Sequence, residues 1–267
     1  SIEAGLSRIE AASFVNPKKV PQMADPENLL DKLSEKRNAS YSGLVLNERG
    51  YSRAISSNCD EITFVIVASD EFSLKNQGMT TAESIEYISK LLKNRKPGIK
   101  ICISIAAAFG CPFEGEVSPS RVIEIAEKCL DLNPDEISLA DTIGVAVPQD
   151  IKEKVKPLIL LSSKTPVRLH LHNTRNTAVS NAWTAFELGV RRFDASFGGI
   201  GGCPFAPKAT GNVAIEDLVY LFEKSGIATG INLDEAIKVA KWLQDQVKHP
   251  LPSACLLYTS DAADDLY

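Results

Sequence analysis

The segment Ile62-Thr63-Phe64-Val65-Ile66-Val67-Ala68 is a nearly continuous apolar run. Such a run is typical of a β-strand that is covered on both faces, as the strands of a parallel sheet are. Seven segments of the chain are predicted as strands, several of them of this kind: residues 8–13, 41–46, 61–68, 100–107, 136–141, 166–172 and 192–196. The sequence therefore predicts a parallel sheet.

Helical patterns alternate with these strands and complete an α/β pattern. They cover residues 26–37, 49–58, 81–94, 118–132, 149–161, 176–188 and 215–224, and a last helix is predicted over residues 234–246. Pro26 and Pro119 each follow a capping residue, as expected at a first helical position. A chain of 267 residues fits one TIM (β/α)8 barrel, a fold of about 250 residues. Seven of its eight strands are recognisable, with an extra carboxy-terminal helix.

The bulk properties argue against several classes of protein. A net charge of −5 and a pI near 5.4 argue against nucleic acid as the main partner. No apolar run in the sequence approaches the roughly 20 residues of a membrane span. The six cysteines show no Cys-x-x-Cys spacing, so neither a zinc site nor a disulfide framework is predicted. We expect a reducing, cytoplasmic location and no membrane partner.

One loop carries most of the chemical information in the chain. It begins with Gly198-Gly199-Ile200-Gly201-Gly202-Cys203 and ends with Gly211-Asn212, so it holds a thiol and a carboxamide. Glycines let a backbone bend and approach a ligand closely, and loops of this length are usually functional. A dinucleotide-binding fingerprint is the competing interpretation, but Pro204 stands where its third glycine should be.

Two histidines lie two residues apart in the strand predicted at residues 166–172. Side chains two apart in a strand point to the same face, so His170 and His172 are placed to bind one metal ion together. The alternative is a pair of half-buried strand histidines bonded to backbone groups. The third histidine of the chain, His249, lies near its end.

Several stretches, in the family's order, resemble 3-hydroxy-3-methylglutaryl-CoA lyase, a family of metal-dependent, aldolase-like lyases built on a TIM barrel. They are Ser13-Phe14-Val15-Asn16-Pro17 and the residues up to Asp25, Ser138-Leu139-Ala140-Asp141-Thr142-Ile143-Gly144, the His170-x-His172 pair, and the loop at residues 198–212. The resemblance runs from Ser1 to near His249. Related condensing synthases share the histidine pair, but they typically carry a Gly-Glu-Arg-x-Gly-Asn type sequence in this loop. Cys203 therefore favours the lyase, with the synthase as a distant alternative.

The resemblance implies a reaction and the residues that perform it. The enzyme would cleave 3-hydroxy-3-methylglutaryl-CoA, an acyl-CoA thioester, to acetyl-CoA and acetoacetate, as in leucine degradation and ketone body metabolism. His170, His172 and Asn212 would bind a divalent cation, Mg²⁺ or Mn²⁺, which imidazole, carboxylate and amide ligands suit. Cys203 would protonate the enolate of acetyl-CoA, and a buried loop cysteine is the alternative. His170 would also act in proton transfer from the hydroxyl group.

Four further residues are candidates, three of them through the same resemblance and Arg175 through the chemistry of its side chain. Glu10 and Asp141 lie within or at the end of their predicted strands, where barrel carboxylates often face the active site. They would be catalytic, and the alternative for each is a cap or a salt-bridge partner. Asn47 would bind substrate, although a turn asparagine looks the same. Arg175 would hold a substrate carboxylate as a bidentate partner.

Two departures from the family pattern bear on the substrate. Asn173-Thr174-Arg175 follows the histidine pair, where many of the lyases read Asp-Thr, and Lys208 stands where a glycine is usual. A different 3-hydroxyacyl-CoA, such as citramalyl-CoA, is therefore an alternative substrate. The similar sequence around Cys111 has no acid role in the family, and we interpret it as architecture.

Both ends of the sequence also differ from the family. Residues 1–7 read as the end of a helix closed by Gly5, and the family places a first strand with an Arg-Asp pair before this point. We interpret residues 255–267 as translated sequencing-adapter sequence, with a natural acidic tail as the alternative. We therefore expect an incomplete barrel domain at residues 1–249 and a non-native or disordered tail at residues 250–267. The parent enzyme is expected to be a homo-oligomer, and this chain, as it stands, a catalytically silent fragment.

Overall fold

The computed structural model describes residues 1–18, 20–34, 39–202 and 211–261. Its strands and α-helices follow along the chain as β1 (Arg8–Ser13), α1 (Pro26–Ser34), β2 (Ser40–Val45), α2 (Glu48–Ile55), β3 (Glu61–Val67), α3 (Asp70–Gln77), α4 (Thr81–Leu92), β4 (Lys100–Ala106), α5 (Pro119–Leu130), β5 (Glu136–Asp141), α6 (Pro148–Ser162), β6 (Val167–Leu171), α7 (Ala178–Glu187), β7 (Arg192–Asp194), α8 (Ile215–Lys224), α9 (Leu233–Val247) and α10 (Ala254–Asp261). Short 3-10 helices occur at Pro21–Met23 and Phe197–Gly199.

The chain divides into two compact units. The first unit comprises Ser7–Ala140 and Pro157–Val167. The second unit comprises Ser1–Leu6, Asp141–Lys156 and Arg168–Tyr267. Each unit contains parallel strands that are joined through helices, as the alternating pattern of the sequence predicts.

The sheet of the first unit contains strands β1 to β5, which pair in sequence order and are all parallel. Its centre is the apolar run of the sequence, which forms β3. Ile62, Phe64 and Ile66 are almost completely buried, and so is Ile103 on the neighbouring strand β4. Strand β3 is buried on both faces, which is why its sequence shows no polar alternation.

Two helices of the first unit, α4 and α5, begin at side chains that satisfy otherwise unpaired N–H groups. Thr80 and Glu83 form a reciprocal capping box at the start of α4. Ser118 accepts the N–H of Arg121 at the start of α5, where proline occupies the first turn. These local signals explain why the helix starts were predicted within one residue at both positions.

The second unit contains β6 and β7, which pair in parallel. An aromatic cluster packs α7 against α8 through Trp183, Phe186 and Phe222, and Phe193 of β7 joins it. A second cluster joins α9 and α10 to the start of the loop at residues 198–212, which we call the cysteine loop. Its members are Phe197, Ile200, Ile237, Ala240, Leu251 and Leu256.

The predicted strands agree with the structure, and most of their ends differ by no more than two residues. One difference is in β7, which ends at Asp194 because the chain turns into a 3-10 helix at Phe197. Helix α3 was not predicted, since its polar sequence buries little more than Phe72 and Ser73. Residues 254–261 form α10, and the proposed domain boundary near residue 250 stays a prediction. Among the described residues, none of the helices has the length and apolarity to span a bilayer.

A buried charge cluster crosses the sheet of the first unit. The guanidinium group of Arg8 on β1 contacts Glu61 of β3 and donates to both oxygens of Glu136 of β5, at 2.6 and 3.0 Å. The two glutamate side chains are 5% and 3% exposed. Carboxylates this deeply buried need a cation, because burial without one is strongly unfavourable.

We predict that Arg8→Met lowers the free energy of unfolding by about 3 kcal/mol, because removing one partner leaves the buried carboxylates of Glu61 and Glu136 poorly compensated. Urea unfolding at neutral pH measures the change. The control is Arg53→Met, which breaks a more exposed pair with Glu27 and should change stability by less than about 1 kcal/mol. Equal losses in the two variants would contradict the predicted role of Arg8.

Candidate active site

The histidine pair lies at the end of β6, in the second unit. His170 is within the strand and His172 follows its last residue, and the centroids of the two imidazole rings are 5.2 Å apart. The side chain of His170 is 32% exposed, whereas His172 is buried at 5%. The two rings are therefore neighbours on one side of the strand, as the two-residue spacing predicts.

The backbone brings the end of the cysteine loop to the same point. His172 and Asn212 form an isolated antiparallel bridge. The N–H of Val213 donates to the carbonyl group of Leu171 at 2.9 Å, and the N–H of Asn173 donates to the carbonyl group of Gly211 at 3.0 Å. These bonds place Asn212 beside His172, although the two residues are far apart in the sequence.

The carboxamide of Asn212 has one engaged end and one end without a partner. Its Nδ2 atom donates to the carbonyl group of Ile200 at 3.0 Å. Its Oδ1 atom is buried and has no hydrogen-bond partner among the described residues. A buried acceptor without a partner is unfavourable and calls for an explanation, and carboxamide oxygen is a ligand of hard divalent cations. Two imidazoles and this oxygen therefore fit a divalent metal ion.

This ligand set is small. Within residues 1–18, 20–34, 39–202 and 211–261, no group of three or more histidine, cysteine, aspartate or glutamate side chains converges to hold a metal ion. The candidate set thus consists of two histidines and an asparagine. That composition agrees with the amide and imidazole ligands expected from the sequence, and the assignment stays a prediction.

Asp194 is a neighbour of the histidines that the sequence analysis did not identify. Its Oδ2 atom lies 3.3 Å from Nδ1 of His170, and its Oδ1 atom lies 3.4 Å from the guanidinium group of Arg168. A carboxylate on the outer nitrogen of a ligating histidine orients the ring. The only signal in the sequence was a charged residue within a short apolar strand.

Asp141 lies at the end of β5 and is completely buried. Its two carboxylate oxygens accept the N–H groups of Val145 and Ala146 at 2.9 and 3.0 Å. Burial raises the pKa of the Asp141 carboxyl, and these two N–H groups offset part of the rise. The side chain thus caps the loop that follows β5. Its carbonyl group accepts the N–H of His172 at 3.4 Å, which links this loop to the histidines.

Arg175 is exposed and contacts the same loop. Its Nη1 atom donates to the carbonyl groups of Ile143 and Gly144 at 3.2 and 2.9 Å. The neighbouring Thr174 packs closely on Gly144, where an added Cβ would lie 2.6 Å from the threonine hydroxyl oxygen. Arg175 is therefore held beside the loop that Asp141 caps.

Three candidates remain to be placed. Glu10 is an exposed residue of β1, and Asn47 caps α2 by accepting the N–H of Gly50 at 2.9 Å; both belong to the first unit. The cap geometry is the alternative that the sequence analysis kept for Asn47. Cys203 lies outside the described residues. The catalytic and substrate-binding roles of these three residues stay predictions.

Cys111 serves as the comparison for Cys203 and has a structural environment. Its buried Sγ atom contacts the hydroxyl group of Ser69 at 2.9 Å and the N–H groups of Phe113 and Glu114 at 3.3 and 3.4 Å. Three donors around one sulfur hold the turn after β4 in place. This agrees with the interpretation of Cys111 as architecture.

Glu216, at the start of α8, is a second acidic residue that the sequence analysis missed. It is completely buried, and its carboxylate accepts the N–H of Gly198 at 3.0 and 3.1 Å. Burial raises the pKa of Glu216 to about 7, and the N–H of Gly198 partly offsets this rise. Glu216 thereby fixes the first glycine of the loop that leads to Cys203.

The parallel strands joined through helices define an α/β protein of the TIM-barrel type. The chain belongs to the HMGL-like family, whose model matches residues 2–243. The predicted family is confirmed, and so is the predicted fold class, an α/β barrel fold of which this chain carries seven strands and an extra carboxy-terminal helix.

Three known proteins are similar to this chain over most of its length. The (R)-citramalyl-CoA lyase of Chloroflexus aurantiacus is 44% identical over 263 residues, which cover 94% of this chain and 83% of the relative. A hydroxymethylglutaryl-CoA lyase of Bacillus subtilis is 35% identical over 250 residues, with 93% and 84% covered. The structure of an HMG-CoA lyase from Acinetobacter baumannii, in complex with coenzyme A and 3-methylmalate, has a TM-score of 0.93 and 39% identity, and covers 100% of this chain and 87% of that one.

The raised pKa of Glu216 predicts a pH-dependent stability. The ordinary pKa of a glutamate is 4.5, and the pKa of Glu216 in the folded protein is about 7. Between these two pH values the folded state keeps a proton that the unfolded state has released. Stability from this group is therefore complete below pH 4.5 and is lost as the pH rises to 7. We predict that Glu216→Gln removes this loss, so that from pH 5 to pH 8 the variant gains on the order of 3 kcal/mol relative to the parent protein.

Urea unfolding at the two pH values tests this prediction. The control is Glu223→Gln on the same helix, because Thr229 lowers the pKa of that exposed carboxyl. The stability contribution of Glu223 is present at high pH and lost at low pH, so its variant should show the opposite trend. Identical pH profiles for the parent protein and Glu216→Gln would contradict the assignment.

Proposed function

We propose that the protein cleaves a carbon–carbon bond in a 3-hydroxy-3-methyl acyl-CoA thioester, with Mg²⁺ or Mn²⁺ as cofactor, and releases acetyl-CoA. The observation that carries the proposal is that Asn212, whose buried Oδ1 atom has no hydrogen-bond partner among the described residues, pairs through its backbone with His172, and that His172 lies next to His170. His170, His172 and Asn212 are the proposed ligands. The bound cation would lower the pKa of the substrate hydroxyl group and orient the substrate.

The protein residues would move the protons. The carboxylate of Asp194 faces Nδ1 of His170, so Nε2 is the nitrogen proposed to act on the substrate side. In the cleavage step Nε2 would accept the proton of the substrate hydroxyl group, a role that excludes ligation of the cation by the same nitrogen at that moment. After the hydroxyl group loses its proton, the bond between C2 and C3 breaks and acetyl-CoA leaves as an enolate. Cys203 is the proposed acid that protonates this enolate, since a thiol is an adequate donor to a strongly basic carbon. Glu10 and Asp141 are proposed to orient these groups.

The first proposed substrate is 3-hydroxy-3-methylglutaryl-CoA, which would yield acetyl-CoA and acetoacetate. The second is (R)-citramalyl-CoA, which would yield acetyl-CoA and pyruvate. The second candidate is supported by the 44% identity to a lyase of that name and by Asn173, which stands where many of the lyases have aspartate after the histidine pair. The two substrates differ by one methylene group between the carboxylate and the carbinol carbon, and Asn47 and Arg175 are proposed to contact this part.

Other expectations remain proposals. They are the domain boundary near residue 250, the inactivity of the chain as it stands, a homo-oligomeric state, a cytoplasmic location, and a place in leucine degradation or ketone body metabolism. Each is independent of the proposed reaction type. An assay of the reaction itself is therefore the first experiment.

We predict that the protein, when it carries a family first strand before Ser1, cleaves at least one of the two thioesters and that the activity requires a divalent cation. The purified chain is assayed with each substrate in the presence of Mg²⁺ or Mn²⁺, and acetyl-CoA, acetoacetate and pyruvate are quantified. A second preparation carries a family first strand before Ser1, because the resemblance predicts such a segment. A pocket that distinguishes one methylene group should favour one substrate about 10- to 200-fold in kcat/KM.

The outcomes separate the candidates. Faster release of pyruvate assigns citramalyl-CoA, and faster release of acetoacetate assigns 3-hydroxy-3-methylglutaryl-CoA. Activity that survives exhaustive chelation would contradict the proposed cofactor. If neither substrate is cleaved by either preparation, the proposed reaction is wrong.

We also predict that Cys203→Ser lowers kcat by about 10²- to 10⁴-fold, the usual effect of losing a general acid. Metal affinity should be unchanged, because the thiol is not a proposed ligand. Cys111→Ser is the matched control and should reduce kcat far less, since Cys111 caps a turn. Equal losses of kcat at both positions would assign Cys203 a structural role.

A further inference from the structure

The residues just before Cys203 form a tight turn that we call the glycine turn, residues 196–201. The N–H of Gly199 donates to the carbonyl group of Ser196 at 3.1 Å, and the N–H of Ile200 donates to that of Phe197 at 3.3 Å. The hydroxyl group of Ser196 then donates to the carbonyl group of Ile200 at 2.5 Å. The turn is thus closed by three internal hydrogen bonds.

Two anchors fix the glycine turn within the second unit. The side chain of Ile200 packs against the cluster that contains Ile237, Leu251 and Leu256. The N–H of Gly198 is bound by the buried carboxylate of Glu216. A carbonyl group held by packing and hydrogen bonds on both sides has a defined direction, so that of Ile200 is a fixed acceptor.

The glycine turn lies directly against Asn212. A Cβ atom added at Gly201 would lie 2.5 Å from Nδ2 of Asn212, and one at Gly211 would lie 1.7 Å from the carbonyl oxygen of Gly199. Gly201 also has a φ of +116°, which residues with a side chain rarely adopt. The contact between the turn and the carboxamide therefore requires glycine.

This contact determines which end of the carboxamide is engaged by the glycine turn. Because Nδ2 donates to the carbonyl group of Ile200, Oδ1 is the atom that lies in the buried position without a partner among the described residues. A rotated carboxamide would present an N–H donor, which cannot ligate a cation. Orientation by the turn thus selects the ligating atom.

We infer that Gly201 and the carbonyl group of Ile200 are positioning elements for Asn212, holding its carboxamide so that oxygen faces the histidine pair. The inference rests on the proposed metal site and assigns to the glycine turn a role in metal affinity, separate from carrying Cys203. Groups that orient a metal ligand typically change affinity about 10- to 100-fold when they are lost.

The test is the affinity of the full chain for Mn²⁺, measured by calorimetry on Gly201→Ala. The added methyl group clashes with the flexible end of a side chain rather than with backbone, so the carboxamide should rotate while the fold persists. We expect the dissociation constant to rise about 10- to 100-fold. The control is Gly189→Ala, which has a similar φ of +109° but no described atom within 4 Å of the added Cβ.

The outcomes separate the inference from the proposed function. Loss of Mn²⁺ affinity in Gly201→Ala, with a melting temperature equal to that of Gly189→Ala, supports the inference. Equal Mn²⁺ affinity in the two variants overturns it and leaves the metal site intact. If the unsubstituted protein binds no Mn²⁺, the proposed metal site is wrong and the inference falls with it.

A milder variant covers the case in which Gly201→Ala does not fold. Ser196→Ala removes the hydroxyl group that helps to fix the carbonyl group of Ile200, and it should weaken Mn²⁺ binding in the same direction. Its control is Ser225→Ala, which removes a similar hydroxyl bond to the carbonyl group of Leu221 on an exposed helix end. Unchanged Mn²⁺ affinity in Ser196→Ala, relative to Ser225→Ala, would also overturn the inference.

Discussion

Two backbone hydrogen bonds join the end of β6 to the end of the cysteine loop, one from Val213 to Leu171 and one from Asn173 to Gly211. The candidate site depends on them, because they bring a carboxamide from one segment to a histidine pair on another. A Cβ atom at Gly211 would lie 1.7 Å from the carbonyl oxygen of Gly199, so the two ends of the loop approach each other only because this side chain is missing. The glycines of the loop thus have a structural role that does not depend on a ligand.

Two buried carboxylates accept backbone N–H groups and so hold the loops of the candidate site in place. Asp141 accepts two N–H groups of its own loop, and Glu216 accepts that of Gly198. Both pKa values rise because burial disfavours the charged form more than these donors favour it. Each carboxylate therefore stabilises the conformation of its loop, and its pKa depends on its burial and on these donors. The geometry of Asp141 fits a cap, and a part in catalysis would act through the loop it holds.

The fold was predictable because its signals are local. A strand buried on both faces must be apolar throughout, and β3 is; capping residues such as Thr80 and Ser118 mark helix starts in the sequence itself. The histidine pair was predictable for the same reason, since side chains two apart share a face. Asp194 and Glu216 were not, because their partners lie 24 and 18 residues away and a single acidic residue in a strand or helix has many ordinary uses. The proximity of Asn212 to the histidines came from family resemblance, and no spacing rule would have given it.

The reaction type follows more directly from the site than the identity of the substrate does. The proposed ligands and acid act on the hydroxyl group, the thioester and the bond between them, and these parts are common to both candidate thioesters. The difference is the distance of the terminal carboxylate from the carbinol carbon, which is one methylene group, worth only about 1–3 kcal/mol. A guanidinium group held in one orientation, such as that of Arg175, would supply a discrimination of this size between the two substrates. Among the described residues, Nη1 of Arg175 donates to two carbonyl groups of the loop that follows β5. That loop would therefore set how far the guanidinium group of Arg175 reaches toward a substrate carboxylate. Substrate choice would then depend on the geometry of that loop more than on the metal ligands.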